Sequence, residues 1–332
     1  MRFVMIRYRG PMRDARVITI TPNPAVDWVF EAPYFAVGEH IGARRVAHHP
    51  AGKGVNVARV LATMGVRSIA TGFIGRGELR MFEEHIERHC QGRVICQLLV
   101  VRAKTRDNIT IVDPVNETET HIRDQGFEVQ PSDAARLESK VSLLARSGVS
   151  VAFCGSLPPG LSPMALRRMV SRSRQAGARV ILDTSGEALE AMRSEKVWLV
   201  KVNARELATL AGMPTDTPEE ILAAARTVHI DGGGGAENVV VTMGMEGAIL
   251  IGPALALRGQ VMVHPGRIVS TVGSGDSLLS GLLAGWIRTG DWTEALRDGL
   301  AAATSNATTR AAGFVDTDGV EEFRQVAMIT PV

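Results

Sequence analysis

Apolar residues along the chain follow two recurring patterns, short β-branched runs and longer stretches with helical spacing. The strand-like runs cover residues 17–21, 68–74, 149–154, 180–183, 197–200 and 239–242. The helical stretches between or near them cover residues 55–64, 164–175, 187–192, 204–211 and 218–228. Strands that alternate with helices predict a mostly parallel, doubly wound α/β sheet. In such a sheet, ligands bind beyond the carboxyl ends of the strands.

Two segments, 29–46 and 94–122, interrupt this alternation with extended stretches that lack a helical period. Within the second segment, the runs at 100–101, 108–113 and 118–122 predict a small antiparallel sheet separate from the main one. A chain of 332 residues can build one large α/β domain or two small ones.

The first sixteen residues carry five arginines and one aspartate, and they lack the apolar core of a signal peptide. We expect residues 1–16 to be a disordered extension, and Met12 is an alternative start of the protein.

Composition and charge limit the classes of partner. The net charge of +2 over 332 residues is too close to neutral for a nucleic-acid binder that works by charge alone. No apolar run reaches the roughly 18–20 residues of a membrane span. The three cysteines, an odd number without metal-ligand spacing, are typical of reduced thiols. We expect a cytoplasmic protein without nucleic-acid or membrane partners.

The most informative polar motif is Thr271–Ser277, directly before the apolar run 278–287. Its two glycines permit a tight turn, and the free N–H groups at a helix N-terminus bind a phosphoryl group readily. Asp276 lies in the same turn, although a carboxylate repels an anion. We interpret Asp276 as the group that takes a proton beside donors that hold a phosphoryl group.

Four weaker motifs each allow a structural alternative. A Gly-Lys-Gly turn around Lys53 opens a predicted helix and could bind a phosphate or sugar oxygens, or could be a turn only. Arg106 could clamp a sugar phosphate, or be a solvated edge residue. Asn203 and Glu206 suit a water-coordinated Mg²⁺, or form a capping box, and both interpretations can hold at once. The glycine turn after Thr242 could admit a nucleotide phosphate, or could be a hairpin.

In this order, the motifs resemble the phosphofructokinase B branch of the ribokinase-like sugar kinases. The segments Thr21–Asp27, Gly126–Val129 and Asp183–Leu189 add to the resemblance, which covers about residues 17–313. It is closest to the group of 1-phosphofructokinases and tagatose-6-phosphate kinases. The resemblance implies a three-layer α/β/α sandwich with a mostly parallel central sheet and a small β-sheet lid. It also implies a single kinase domain over residues 17–332, with lid segments at about 29–46 and 94–122. A homodimer that forms through the lid is implied as well.

The resemblance further implies a role for each motif residue. Asp276 would be the catalytic base, beside an anion hole from the backbone of Gly273, Ser274 and Gly275. Residues that hold the sugar would be Asp27, Gly52, Lys53, Asn56 and Arg106, with Lys53 and Arg106 near its existing phosphate. The ATP site would be lined by Lys201, Asn203, Thr242, Gly244 and Gly247. Glu206 would organise Mg²⁺ through water, and a requirement for a monovalent cation stays open.

The expected activity is ATP-dependent phosphorylation of a ketohexose phosphate, first of all fructose 1-phosphate at O6, which yields fructose 1,6-bisphosphate. Tagatose 6-phosphate and fructose 6-phosphate, phosphorylated at O1, are alternative substrates. A catalytically inactive sugar-phosphate sensor is a further alternative, but the intact Asp276 and its glycine turn argue against it. A dinucleotide-dependent oxidoreductase would suit the sheet, yet no G-x-G-x-x-G follows the first strand. Because phosphoryl transfer needs mainly positioning, a carboxyl group of ordinary pKa would suffice as the base.

The chain departs from the family pattern at four positions. Ala51 and Val202 replace a common glycine and a common proline, and Ser274 replaces a common alanine. Gly42 stands where many relatives carry a lid arginine. Arg44 or Arg45 could compensate for it, or the sugar could differ.

Overall fold

The computed structural model describes residues 14–332. Most of the expected N-terminal extension, and the alternative start at Met12, therefore lie outside the described residues. Residues 14–16 are packed against the rest of the protein: the side chain of Ala15 is buried, and the amide of Arg16 donates a hydrogen bond to the carbonyl oxygen of Arg67.

In the described part of the chain, a large sheet of ten strands forms the centre of the fold. In spatial order the strands are β14 (Ala327–Pro331), β13 (Leu255–Val261), β12 (Ala248–Gly252), β11 (Val239–Thr242), β10 (Leu199–Asn203), β9 (Arg179–Asp183), β8 (Ser150–Cys154), β1 (Val17–Thr21), β4 (Ser68–Gly75) and β5 (Val94–Val101). The pairs from β11 to β5 are parallel, and β11 to β14 form an antiparallel meander.

Helices cover both faces of this sheet. They are α1 (Lys53–Thr63), α2 (Leu79–His89), α3 (Pro131–Leu144), α4 (Pro163–Gln175), α5 (Glu187–Glu190), α6 (Ala204–Ala211), α7 (Pro218–Val228), α8 (Ser274–Thr289), α9 (Trp292–Ala307) and α10 (Thr317–Val326). One core cluster contains side chains of α3, α4, α6 and α7, and another contains side chains of α1, α8, α9 and α10. Val17 and Ile18, adjacent in β1, belong to opposite clusters. The predicted three-layer sandwich is confirmed.

A second sheet has four strands, in the order β3 (Arg44–Ala51), β2 (Ala25–Glu31), β6 (Arg106–Asp113) and β7 (Thr118–Arg123). The runs at 108–113 and 118–122 pair antiparallel as β6 and β7, in a sheet separate from the main one, as expected. The pair β2–β3 is also antiparallel, whereas the pair β2–β6, which the sequence did not predict, is parallel. Val100 and Val101, expected in this sheet, instead end β5 at the edge of the large sheet. The run is apolar on both of its faces, which suits a strand packed in an α/β sheet.

The connections between the two sheets place the functional motifs. The strands β1, β9, β10 and β11 end at the same edge of the large sheet, because they are parallel. The chain passes from β1 directly into the small sheet and returns from β3 into α1. Among residues 14–332, no helix combines the length and the apolar character that a membrane crossing requires.

Candidate active site

A cavity of about 670 Å³ lies between the carboxyl edge of the large sheet and the small sheet. All the residues predicted for the site line this cavity. They are Asp27, Gly52, Lys53, Asn56, Arg106, Lys201, Asn203, Glu206, Thr242, Gly244, Gly247, Gly273, Ser274, Gly275 and Asp276. The structure therefore brings together motifs that are far apart in the sequence.

The N-terminus of α8 supplies free backbone donors to the cavity. Gly273 precedes the helix with a φ of 83°, a left-handed conformation that favours glycine. Among the described residues, the amides of Gly273, Gly275 and Asp276 donate to no backbone acceptor, whereas the amide of Ser274 donates to the carbonyl oxygen of Thr271 at 3.2 Å. The free donors are therefore those of Gly273, Gly275 and Asp276, and the predicted donor Ser274 is used in the turn.

Asn306, which the sequence analysis did not identify, holds this turn in place. Its Nδ2 donates to the carbonyl oxygen of Val272 at 2.9 Å and to Oγ of Ser274 at 3.2 Å, and its Oδ1 accepts from the amide of Gly313 at 2.6 Å. A Cβ atom on Gly273 would lie 2.4 Å from the nitrogen of Gly313. The backbone around Gly313 thus packs directly against the start of α8.

Asp276 is a buried carboxylate in the first turn of α8, with 5% of its surface exposed. Its Oδ2 accepts a hydrogen bond from Nδ2 of Asn56 at 2.9 Å. Burial, together with the nearby carboxylate of Asp183, raises the pKa of Asp276 to about 6, although Lys53 and Lys201 oppose the shift. A base with a pKa close to neutrality is suited to proton transfer at physiological pH.

A second buried carboxylate, Asp183 at the end of β9, joins two lysines. Its Oδ1 accepts from Nζ of Lys53 at 2.8 Å and from Nζ of Lys201 at 3.2 Å. Burial alone would raise the pKa of Asp183, but Lys201 and Lys53 lower it below its ordinary value. Burial alone would likewise lower the pKa of Lys53, but Asp183 and Asp276 raise it. Asp183 belongs to a motif of the family resemblance, but no role was assigned to it from sequence.

Lys201 points at the anion-binding turn. A Cβ atom on Gly275 would lie 2.8 Å from Nζ of Lys201, so the ammonium group is next to the free amides of α8. The rest of the predicted nucleotide site lies along Thr242, Gly244 and Gly247, and it faces an apolar wall. This wall consists of Val261, Val263, Ile268, Leu300, Ala303 and Ala307.

Asn203 and Glu206 form a capping box at the start of α6. Oδ1 of Asn203 accepts from the amide of Glu206, and Oε2 of Glu206 accepts from the amide of Asn203, both at 2.9 Å. The structural alternative is thus confirmed. Oε1 of Glu206 accepts from no described group, so one carboxylate oxygen remains for a ligand in the cavity.

Arg106 is fixed to backbone and is not a solvated edge residue. Its guanidinium donates to three carbonyl oxygens, at distances of 3.1, 3.3 and 2.9 Å from those of Asn23, Pro24 and Asp124. Burial, with the neighbouring charge of Arg123, lowers the pKa of Arg106. Because an arginine has five N–H donors, Arg106 retains two for a ligand.

His121 and Arg123 on β7 also line the cavity, and neither was predicted. Being two residues apart on a strand, they project from the same face of the small sheet. Within residues 14–332, Arg123 makes no ion pair. On the same sheet, Asp27 accepts from Nδ2 of Asn108 at 2.9 Å, which leaves Oδ2 of Asp27 for a ligand.

The arginines expected to compensate for Gly42 lie elsewhere. Arg44 pairs with Glu31 at 2.9 Å, and the guanidinium carbon of Arg45 lies 5.2 Å from the ring centre of Trp28. Neither arginine lines the cavity. On the small sheet, Arg123 is the arginine that lines the cavity in addition to Arg106.

Comparisons with known proteins agree with this geometry. Residues 20–318 match the family described as pfkB family carbohydrate kinase. The chain is 35% identical to 1-phosphofructokinase of Haemophilus influenzae over 285 residues, which cover 85% of this chain and 88% of the relative. It is 34% identical to 1-phosphofructokinase of Escherichia coli over 273 residues, which cover 81% and 84%.

Among solved structures, phosphofructokinase-2 from Escherichia coli in complex with potassium superposes with a TM-score of 0.83 at 25% identity, and the match covers 94% of this chain and 98% of that one. The family match spans most of the chain, and the matching segment includes the predicted base, the anion-binding turn and the lid. The chain therefore belongs to the pfkB family of carbohydrate kinases, which are phosphotransferases.

Proposed function

We propose that the protein phosphorylates fructose 1-phosphate at O6 with ATP and so forms fructose 1,6-bisphosphate. One observation carries the proposal. The buried carboxylate of Asp276, with one oxygen held by Asn56, lies in the same helical turn as free amides that adjoin the ammonium group of Lys201. A proton acceptor and an anion site thus face one cavity.

In the proposed reaction, Oδ1 of Asp276 takes the proton of the sugar hydroxyl as its oxygen attacks the γ-phosphorus of ATP. The bond between the sugar oxygen and phosphorus forms, the bond to the β-phosphate oxygen breaks, and ADP leaves. The amides of Gly273 and Gly275, together with Lys201 and Lys53, offset the charge on the transferred group. Positioning and charge stabilisation of this kind supply most of the catalysis in phosphoryl transfer.

The lid supplies a site for the phosphate that the sugar already carries. Arg106 has two N–H donors left, and Arg123 has no carboxylate partner within the described chain. Two guanidinium groups suit a doubly charged phosphate better than a neutral sugar. The names of the curated relatives support fructose 1-phosphate as the sugar. Fructose 6-phosphate and tagatose 6-phosphate, which would present O1 to Asp276, are the alternative substrates.

The nucleotide and its metal fit the other half of the cavity. We propose that the adenine base packs on the apolar wall next to Gly244 and that the triphosphate extends towards Lys201. Glu206 has one free carboxylate oxygen, and Mg²⁺ prefers few protein ligands and several waters. Glu206 would hold Mg²⁺ through water, and the metal would neutralise part of the phosphate charge when bound. A monovalent cation requirement and the homodimer through the lid stay predictions.

The test is a substrate comparison with purified protein and Mg-ATP. Fructose 1-phosphate, fructose 6-phosphate, tagatose 6-phosphate and unphosphorylated fructose are compared by ADP release, and ³¹P NMR identifies the product. We expect the highest kcat/KM for fructose 1-phosphate. A higher kcat/KM for another phosphorylated ketose would identify that sugar as the substrate instead, and no turnover of any of these sugars would refute the proposal.

A matched variant tests the base. Asp276→Asn keeps the shape of the side chain but accepts no proton, and it is expected to lower kcat by several orders of magnitude while ATP still binds. A variant with near-normal kcat would show that Asp276 is not the base.

A further inference from the structure

Arg59 on α1 is a buried guanidinium without a carboxylate partner. Its exposed fraction is 2%, and within residues 14–332 it makes no ion pair. A buried charge without an ion pair is costly, and burial lowers the pKa of Arg59 to about 10, so the group stays charged at neutral pH. Arg59 is not among the described residues that line the cavity.

The first contact of Arg59 fixes the orientation of an amide. Nη2 of Arg59 donates to Oδ1 of Asn56 at 3.1 Å. Because arginine has donors only, the oxygen of the amide must face Arg59. The nitrogen of Asn56 then faces Asp276 and donates to its Oδ2 at 2.9 Å. Arg59 therefore determines that Asn56 presents its N–H group to Asp276, and Oδ1 of Asp276, which accepts from no described group, remains for the proton.

The second contact holds the backbone behind the anion-binding turn. Nε of Arg59 donates to the carbonyl oxygen of Gly313 at 2.8 Å, and Nη2 donates to that of Ala312. Gly313 packs on Gly273, as a Cβ atom on Gly273 would lie 2.4 Å from the nitrogen of Gly313. The guanidinium of Arg59 thus contacts both Asn56, which bonds to Asp276, and the backbone that packs against the anion-binding turn.

His85 on α2 supports Arg59 from the side away from the cavity. Nε2 of His85 accepts from Nη1 of Arg59, which requires a neutral imidazole at that nitrogen. Burial and the charge of Arg59 lower the pKa of His85 to about 3. The ring of Phe314 lies over the guanidinium, with 3.8 Å from its centre to Cζ of Arg59. The guanidinium is therefore held on several sides.

We propose that Arg59 is a positioning residue of the kinase reaction: it orients Asn56 towards Asp276 and holds the backbone of Ala312 and Gly313 against the anion-binding turn. The inference rests on the proposed function, since it assigns to Asp276 the role of base. Arg59 touches neither substrate, and its effect on the reaction is exerted through these contacts.

The pH dependence of the reaction gives a readout that a merely structural role would not change. Without Arg59, the amide of Asn56 can turn its oxygen towards Asp276, which favours the protonated carboxyl group. The loss of the positive charge acts in the same direction. Both effects raise the pKa of Asp276 above its value of about 6 in the wild type.

Three histidines near Arg59 also respond to its charge. Burial and the charge of Arg59 lower the pKa of His49, His85 and His89, so Arg59→Met raises these pKa values as well, whereas Arg59→Lys retains the cation and isolates the effect of the lost contacts on Asp276. The charged or titratable groups that face Asp276 or Arg59 from the surrounding elements are Asp183, Lys53, Lys201, Asp27 and Cys90. All of them remain in the variants, so they form a constant background.

The experiment compares Arg59→Met, Arg59→Lys and the control Arg324→Met. Arg324 is a partly buried arginine that, unlike Arg59, pairs with carboxylates, those of Asp298 and Glu294, and it lies outside the cavity. Wild-type turnover is measured first, so that failure of the proposed function is recognised separately. Thermal unfolding and ATP binding show that each variant is folded.

For Arg59→Met we expect kcat to fall on the order of 100-fold, because small displacements of catalytic groups cost about this much. The acid limb of the pH profile of kcat/KM should move up by about half a pH unit or more. Arg59→Lys keeps the charge, but its single nitrogen cannot make all the contacts of the guanidinium group. We therefore expect kcat to fall nearly as far, and the acid limb of the pH profile to move up by less than in Arg59→Met. Arg324→Met should leave the pH profile and kcat unchanged.

Two results would overturn the proposal. One is a folded Arg59→Met variant whose kcat and acid limb equal those of the wild type. The other is an Arg59→Lys variant with wild-type kcat, which would show that only the charge matters. If Arg59→Met does not fold, Arg59→Lys alone decides, since it retains the buried cation.

Discussion

The burial of Asp276 predicts that Asp276→Asn, the replacement expected to abolish activity, also stabilises the fold. The pKa of this carboxyl group is raised from its ordinary value of 3.8 to about 6, first by burial and then by Asp183. A raised pKa means that the native state binds the proton more tightly than the unfolded state. The ionised carboxylate is therefore unfavourable in the native protein, and Asp276→Asn removes it.

The magnitude follows from the difference of about two pH units between the two pKa values. Each unit corresponds to about 1.4 kcal/mol, so Asp276→Asn should raise the free energy of unfolding by about 3 kcal/mol at most at pH 8. The contribution of a group with a raised pKa is fully present below the unfolded pKa and is lost as pH rises through the folded pKa. The advantage of the variant should thus be about half as large at pH 5, about a fifth as large at pH 4, and vanish below about pH 3.

The assay is urea unfolding followed by tryptophan fluorescence at pH 5 and pH 8, with thermal unfolding as a second measurement. Asp298→Asn serves as the matched control, because Asp298 is a buried aspartate that pairs with Arg288 and Arg324. Breaking these pairs should destabilise the protein. Two results would contradict a raised pKa of Asp276. One is an Asp276→Asn variant that is less stable than the wild type at pH 8, and the other is a gain in the free energy of unfolding that is equal at the two pH values.

Two further predictions concern the anion sites. In steady-state kinetics, Arg123→Ala should raise KM for the sugar phosphate by roughly 10-fold or more at unchanged kcat, whereas Arg44→Ala should leave KM unchanged. A raised KM for Arg44→Ala and an unchanged KM for Arg123→Ala would show that Arg44 is the arginine that compensates for Gly42. Gly275→Ala should displace the flexible end of Lys201 and lower kcat roughly 10- to 100-fold with an unchanged melting temperature. In Gly273→Ala, the new Cβ atom would lie 2.4 Å from the nitrogen of Gly313, on a residue whose φ is 83°. This variant should therefore have a melting temperature several degrees lower, and equal melting temperatures for Gly273→Ala and Gly275→Ala would contradict this geometry.

Much of the large sheet could be predicted from the sequence because its strands are buried on both faces. The run 239–242 coincides with β11, and the run 17–21 with β1. The assignment of Val100 and Val101 failed for a physical reason. An apolar run shows that a strand is buried, but its pairing partner is decided by contacts distant in the sequence, in this case with Ile74 and Gly75 of β4.

The same distinction applies to the site. Residues in local motifs, such as Lys53 and Asp276, could be predicted because a glycine turn before a helix has a direct chemical meaning. Asp183, Arg59 and Asn306 were missed because each acts through partners that only the fold brings close. The bond of Asp183 to Lys53, for example, spans 130 positions of the chain.

The buried charges explain how a carboxylate can lie at an anion site. Among the charged groups that act on Asp276, Lys53 and Lys201 are cations, whereas Asp183 and Asp276 itself are anions, so the charges balance. Desolvation nevertheless raises the pKa of Asp276, which shows that burial outweighs the nearby lysines at this position. In the proposed reaction, the carboxylate would take a proton, and an excess of positive charge would remain at the moment when the phosphoryl group is transferred. The same proton would remove the repulsion between Asp276 and phosphate, so that proton transfer to Asp276 would strengthen the anion site.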